Sequence, residues 1–408
     1  MTFVTQPSPL RRIPAKTARV DVLSRDALER CPRWHDAFSS QRKDHRYYEV
    51  VEDTVPGFDY RYFVLSDDVG VVRAVEPFFL LNQDLLAGVT GWAKVAIDIV
   101  RRLWPHFMVV RTLMVGCAAG EGHLDEGDQF PRSDQARHLA AAVVDHAAEL
   151  GARLIVLKEF PTKYRDELAC FLHAGYTRVP SLPMTRLNID YPNFDVYMIS
   201  ALSRRTRRDF RLKWRATARA PAIELSVVRD VTPIIDEIYP LYLQVYERSK
   251  LHFEKLTKDY FSSVGRLMPD KVRFFVWRQC GRIVAFAFCM VHGDEIHAEY
   301  VGFDYSIAID LHLYHYAVRD MISWAMARGY KWFCSSALNY DPKYHFRHWL
   351  EPLDLYVRHS STFLNAILKR LLPFVEPTRY DKTLRRFPNY REMWDSPAPA
   401  EPVEKRLA

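Results

Sequence analysis

The stretch from Ile296 to Leu338 constrains the fold more than any other part of the chain. Ile296 to Val301 reads as a strand and ends at Gly302. Leu311, Tyr314, Val318, Met321 and Ala325 then recur at steps of three and four, which is one apolar stripe of a helix. Asp304 or Asp310 is placed to cap the helix start, and Gly329 follows its end. Trp332-Phe333-Cys334 is an aromatic, apolar run suited to a buried strand. Strand, crossover helix and parallel strand make one right-handed α/β unit. Ligands favour the place where such a strand ends and the helix begins, because unpaired backbone N–H groups point there.

The same order of elements occurs twice. Phe63-Val64 with Gly70 answers Phe275-Val276 with Gly281, and Val115-Gly116 answers Val301-Gly302. Gly151 answers Gly329, and Lys163-Tyr164 answers Lys343-Tyr344. Four matches in order predict a duplicated unit. The first copy carries an insertion, Asn82 to His106, read as a helix with Trp92, Val95, Ile99, Leu103 and Trp104 apolar. Tyr47 to Val51 reads as a strand, Lys343 to Leu350 as a helix, and Asp354 to His359 as the closing strand of the second copy. The expected organisation is an arm at 1–18, a first domain at 19–200, a second at 201–361, an amphipathic helical extension at 362–395 and a disordered tail at 396–408.

The length, 408 residues, suits two domains with extensions. The net charge of +7 is mild, so its placement matters more than its size. Much of it gathers where the second copy begins. Arg204, Arg205, Arg207, Arg208, Arg211, Lys213, Arg215 and Arg219 accompany the single Asp209, on a helix that Ser203 can cap. Phe210 and Trp214 share a face of that helix and are expected to dock inward, leaving the arginines outward. Such a stretch suits phosphate contacts, with a tRNA or another polyphosphate as partner. The six cysteines are scattered without a CxxC pair and read as free thiols in a reducing compartment. Neither a leader pattern nor an apolar run of membrane-spanning length is visible, so the expected location is the cytoplasm.

Asn193-Phe194-Asp195-Val196-Tyr197 leading into the basic helix, Val301-Gly302-Phe303-Asp304-Tyr305 at the strand end, and Asn339-Tyr340-Asp341-Pro342-Lys343 after the next strand are specific in combination. Together they resemble the tandem GNAT-fold acyltransferases, namely the FemAB/FemX-like proteins and relatives with a CelD-type acetyltransferase domain. The likeness implies an α/β (α+β) fold of two tandem GNAT-like domains, each a mixed twisted sheet flanked by helices. It also implies transfer of an acyl group, carried on coenzyme A or on a tRNA, to a small-molecule or peptide amine. No metal is implied, and His312 and His315 have no third ligand at useful spacing.

Amine attack on an activated carbonyl needs a proton acceptor and N–H donors for the oxyanion. Glu299, beside Tyr300 on the strand expected to splay, is the candidate general base, since alternation turns one of the two toward a cleft. The resemblance makes Lys343 a second catalytic candidate, able to neutralise a phosphate or carboxylate. Asp304, Asn339, Tyr340, Arg204 and Arg208 complete the set as substrate contacts. Two departures stand out. The glycine-rich pyrophosphate turn of acetyl-CoA-binding members is absent from Asp304-Tyr305-Ser306-Ile307-Ala308. In the first copy, Gly116, Gly120 and Gly122 surround Glu121, with Asp125 and Glu126 nearby, acidic side chains that would repel phosphate. A tyrosine general acid is also missing, because Phe171 and Phe346 stand at the comparable positions. Beside acyl-CoA-dependent transfer stand an aminoacyl-tRNA-dependent peptidyltransferase and a catalytically idle protein with a peripheral membrane contact.

Overall fold

A computed structural model describes residues 19–84, 101–102, 109–126, 130–249 and 253–395. The arm at 1–18, the tail at 396–408 and the apolar residues expected to line the inserted helix (Trp92 to Trp104) lie outside them. The first half runs β1 (Arg19–Leu23), α1 (Arg25–Leu28), α2 (Pro32–Asp36), α3 (His45–Thr54), β2 (Asp59–Ser66), β3 (Val72–Asp84), β4 (Val109–Val115), α4 (Arg132–Glu149), β5 (Leu154–Pro161), α5 (Ala169–His173) and β6 (Thr177–Pro180). A crossing segment follows, β7 (Met184–Asn188) and α6 (Phe194–Ala201). The second half runs α7 (Arg204–Arg219), β8 (Ile223–Val228), α8 (Ile235–Arg248), α9 (Lys258–Leu267), β9 (Val272–Gln279), β10 (Arg282–His292), β11 (Glu295–Phe303), α10 (Leu313–Met326), β12 (Trp332–Ser335), α11 (Tyr340–His345), β13 (Trp349–Glu351), β14 (Leu353–His359) and α12 (Thr362–Val375).

Two seven-stranded sheets result, ordered β1-β2-β3-β4-β5-β14-β6 and β8-β9-β10-β11-β12-β7-β13. Written this way, the two orders correspond strand for strand, so the molecule holds two tandem modules of one topology, each a mixed sheet flanked by helices. Each sheet takes its sixth strand from the other half of the chain. β7 pairs antiparallel with β12 and β13, and β14 pairs antiparallel with β5 and β6. Division of the chain near residue 200 therefore does not divide the sheets.

One apolar layer lies between the modules. It joins Val64, Phe79 and Met114 of the first sheet to Phe274, Phe286 and Phe288 of the second. Tyr47 of α3 and Tyr260 of α9 meet in it, with their hydroxyls 2.7 Å apart. The outer faces are covered separately. α4 and α5 lie over the first sheet with Leu139, Val143 and Phe171 buried, and α6, α7 and α10 lie over the second.

Three local expectations need correction. Tyr47 to Val51 is helical, within α3, where the Asp44 carboxylate accepts the Arg46 N–H and Tyr47, Tyr48, Val50 and Val51 are buried together. Packing of one helical face outweighs the strand preference of Tyr and Val. The helix expected over Lys343 to Leu350 is α11, which stops at His345 and gives way to β13. Neither Asp304 nor Asp310 caps α10, because its N-cap is His312, in the left-handed region with φ 49°.

Gly302 sets how closely the inner helices approach the second sheet. A Cβ there would stand 2.3 Å from Phe286 Cε1 and 2.7 Å from the backbone of Leu241 and Tyr242 in α8. Backbone atoms of a packed helix cannot step aside as a flexible side chain can. Gly302→Ala should therefore lower stability by about 1–3 kcal/mol, read from urea unfolding. An unchanged midpoint would mean that α8 does not rest on this residue.

Candidate active site

The pairing of β10 with β11 slips at Glu299. Cys289 faces Ala298 and Phe288 faces Tyr300, leaving Glu299 as the extra residue of a bulge. The bulge defeats the alternation expected from sequence, since Glu299 and Tyr300 both turn toward the inter-module layer. Glu299 meets Arg42 and Lys43 of the first module, and the Tyr300 hydroxyl donates to Glu254 Oε1 at 2.7 Å.

A bulge also bends its strand. The parallel ladder of β11 with β12 covers only Glu295 to Ala298 against Trp332 to Ser335. Ser336 closes it, its N–H donating to Ala298 O and its hydroxyl to Glu299 O. β11 continues to Phe303 with no strand beside it on that edge among the described residues. Asp304 N–H turns to Val284 of β10, so by alternation the N–H groups of Val301 and Phe303 point into the gap. Tyr314, in the first turn of α10, lies beside this stretch with its ring against Phe303 (centroids 6.2 Å apart). Asn339 stands at the N-cap of α11, in the left-handed region with φ 50°. In the sequence Tyr314 marks only the apolar stripe of the helix.

Lys343 lies on the other wall. Its ammonium nitrogen is buried and donates to Leu338 O at 2.7 Å and to Ser336 O. Burial pushes its pKa down to about 7. The remaining candidates are placed less directly. Asp304 accepts the Ser306 N–H and hydroxyl, which makes it a turn residue. Tyr340 is buried and its hydroxyl donates to Pro183 O at 2.9 Å, so it closes structure and offers no free polar atom. Arg204 and Arg208 are exposed on α7, far along the chain from these groups.

Arg42 and Lys43, missed in sequence, hold the modules together. Arg42 Nε lies 2.8 Å from Glu299 Oε1, and Lys43 Nζ lies 3.3 Å from Glu299 Oε2. Lys43 Nζ is 2.9 Å from Glu121 Oε2. Arg42 Nη2 is 2.6 Å from Glu121 Oε1, an ion contact whose angle is poor for a hydrogen bond. All four side chains are buried. Burial alone would raise both carboxyls, but the charges of Arg42 and Lys43 prevail and hold both below the ordinary 4.5. A carboxylate held in this way is a weak proton acceptor, which corrects the expectation of Glu299 as a free general base. His123, with Nε2 at 3.0 Å from Glu121, is depressed by burial although Glu121 works against the shift.

In the first module the equivalent gap is filled from within. Beyond Val115, residues 117–125 fold back beside β5, and the Gly122 N–H donates to Glu159 O. A Cβ on Gly122 would stand 2.6 Å from the Phe160 ring and 2.7 Å from Lys158 O, so only glycine fits. Of the three acidic side chains expected to repel phosphate, two face inward, Glu121 as described and Asp125 at 2.6 Å from Arg33, while Glu126 is exposed and pairs with Arg132. Among the described residues, Glu295, His297 and Cys334 bring three metal-ligand atoms within 4.8 Å of one another. The Glu295 carboxylate is already shared between His297 and Arg186.

On α7, Phe210 is buried as expected, while Arg207 turns back onto carbonyls of Met198, Ile199 and Leu202. Arg204, Arg208, Arg211, Arg215 and Arg219 form one exposed stripe at steps of three and four, and none makes an ion pair among the described residues. The helix is tied to the start of α10 by Thr217, whose hydroxyl donates to Leu311 O at 2.6 Å.

Residues 204–344 match the family model described as an acetyltransferase (GNAT) domain. The second module is similar to a GNAT acyltransferase domain. No curated protein matches the chain. Solved structures that resemble it include L-PGS from Bacillus licheniformis, at 14% identity and TM-score 0.47, covering 81% of this chain and 95% of that one. FemX is similar at 13% identity and TM-score 0.46 over 80% and 93%. A tandem GNAT protein from the clavulanic acid biosynthesis pathway is similar at 9% and 0.45 over 85% and 99%.

Two outcomes are expected of the buried ion cluster. Arg42→Ala leaves two carboxylates facing one lysine and should destabilise by about 3–5 kcal/mol in urea unfolding. Both carboxyls have folded pKa values below the unfolded 4.5, so their contribution is whole above pH 4.5 and is lost as pH falls through and below it. The double variant Arg42→Met with Glu121→Gln should flatten part of that acid limb. A limb of unchanged steepness would assign acid sensitivity elsewhere.

Proposed function

We propose that the chain is an N-acyltransferase whose second module brings an amine and an activated carbonyl together beside the unpaired stretch of β11. The early end of the β11–β12 ladder, within the GNAT-like segment, carries this reading. A strand edge with N–H groups and no partner strand offers oxyanion donors, and one such donor is worth about 3 kcal/mol in the barrier. The filled gap of the first module favours the second as the working one.

In the proposed reaction the amine nitrogen attacks the carbonyl carbon, and the Val301 N–H stabilises the resulting oxyanion. The attacking nitrogen gives up a proton to Lys343, which is neutral above pH of about 7. Collapse breaks the carbon–sulfur or carbon–oxygen bond, and the departing sulfur or oxygen takes a proton from Tyr314. Glu299 fixes the bulge that bends β11.

Two donors suit this chemistry, an acyl-CoA thioester and an aminoacyl-tRNA ester. The arginine stripe on α7 favours the second, since phosphates bound along it would lead to Leu311 at the start of α10. The experiment supplies a panel of acyl-CoAs and aminoacyl-tRNAs with amine acceptors and identifies products by mass spectrometry. Wild-type rate should rise with pH through about 7, and Lys343→Met should lose about 10²–10⁴-fold together with that limb. Tyr314→Phe, which keeps the ring against Phe303, tests the proton donor separately in case Lys343→Met disturbs folding. Arg204→Glu with Arg208→Glu should weaken only a tRNA-dependent reaction. Full activity in both the Lys343 and Tyr314 variants would remove this site from consideration, and no product from any donor would count against the transferase reading itself.

A further inference from the structure

We propose that α12 docks the protein onto an anionic phospholipid surface. This inference stands apart from the transferase reading and rests on the faces of one helix. Leu368 and Leu372 pack inward against the layer between the modules. The same helix carries a second apolar face with nothing over it among the described residues. Phe363 is 75% exposed, Phe374 64%, Leu371 54%, Leu364 45% and Ile367 41%. At 100° per residue these five fall within an arc of about 100°, a continuous stripe distinct from the packed face.

Charge indicates what covers it. Residues 358–391 hold eight Lys and Arg against Glu376 and Asp381. Both carboxylates are engaged by backbone, Glu376 accepting the N–H groups of Thr378 and Arg379, and Asp381 those of Thr383 and Leu384. Lys369 and Arg370 are exposed on α12, with Arg370 on the rim of the apolar stripe, three residues after Ile367 and four before Phe374. Lys382 and Arg385 are exposed just beyond the helix. Tyr380, 60% exposed, donates its hydroxyl to Phe374 O, leaving an amphipathic ring at the end of the stripe. Phenylalanine and leucine on one face, bordered by basic side chains whose stems can reach past them, is the pattern of a helix lying in the plane of a lipid interface. Anionic headgroups would answer the surrounding positive charge. No helix among the described residues is long and apolar enough to cross a membrane.

The test is cosedimentation of the full chain with vesicles of phosphatidylcholine alone and of phosphatidylcholine with phosphatidylglycerol. Wild type should bind the anionic vesicles and release them as salt rises. A variant with Phe363→Ser, Ile367→Ser, Leu371→Ser and Phe374→Ser should lose at least about ten-fold in binding. Its circular dichroism melt should not move, because these side chains are already exposed. Lys369→Glu with Arg370→Glu should weaken binding to anionic vesicles without touching the apolar face. Binding that survives both variants would assign lipid contact to another surface, such as α7, and overturn the proposal. Wild type that ignores the vesicles overturns it as well, including the case in which the serine variant turns a dimer into a monomer and the bare face proves to be a contact between copies.

Discussion

Two carboxylates, one from each module, share two cations inside the protein, and the relation between the modules depends on that exchange. Glu121 arrives on the loop after β4, Glu299 in the bulge of β11, and Arg42 and Lys43 come from the segment between α2 and α3. None of the four charges could be buried alone, since removal from water costs several kcal/mol per ion. Together they are neutral, and each carboxylate touches both cations. Such an arrangement tolerates little sliding, because every ångström of relative movement lengthens several ion contacts at once. The apolar layer supplies area between the modules, and the ion cluster supplies register.

Duplication has produced two sheets of one order and two different uses of the same strand gap. In the first module glycines at 116 and 122 let the chain fold back between strand ends, and the gap becomes interior. In the second, Gly302 admits a helix against the face of the sheet and leaves the strand edge alone. A glycine near the end of the fourth strand serves both, Gly116 just after β4 and Gly302 within β11, yet the first gap is filled and the second strand edge is left unpaired. The first module accordingly acts as a frame. It delivers Arg42 and Lys43 to the bulge and so sets the bend of the strand on which the proposed chemistry depends.

Much of this was legible in sequence where the signal is local. The apolar stripe of α10, the glycine stops at 151 and 329 and the Ser203 cap of α7 are patterns within a few residues, and each marks the element observed. The repeated order of elements carried the fold class. What stayed hidden was non-local or broke a rule. The bulge at Glu299 has no composition of its own, so period-two alternation sent Glu299 and Tyr300 to opposite faces. Arg42 and Lys43 look like solvated charge, and their partners stand 78 and 256 residues away. Tyr314 sits on an apolar stripe, and only its ring contact with Phe303 shows that it borders the unpaired stretch of β11. Tyr47 to Val51 misled for the opposite reason, because residues that favour strands were recruited into a buried helix face.

The exchanged strands bear on how such a chain is born. β5 emerges from the ribosome early, but the strand that belongs beside it is β14, and Arg165 meets Asp354 across 189 residues of sequence. Until β14 has been made, the first sheet exposes an unpaired, apolar edge of the kind that recruits other chains. The nascent polypeptide therefore cannot mature module by module, and that edge stays open until β14 is delivered.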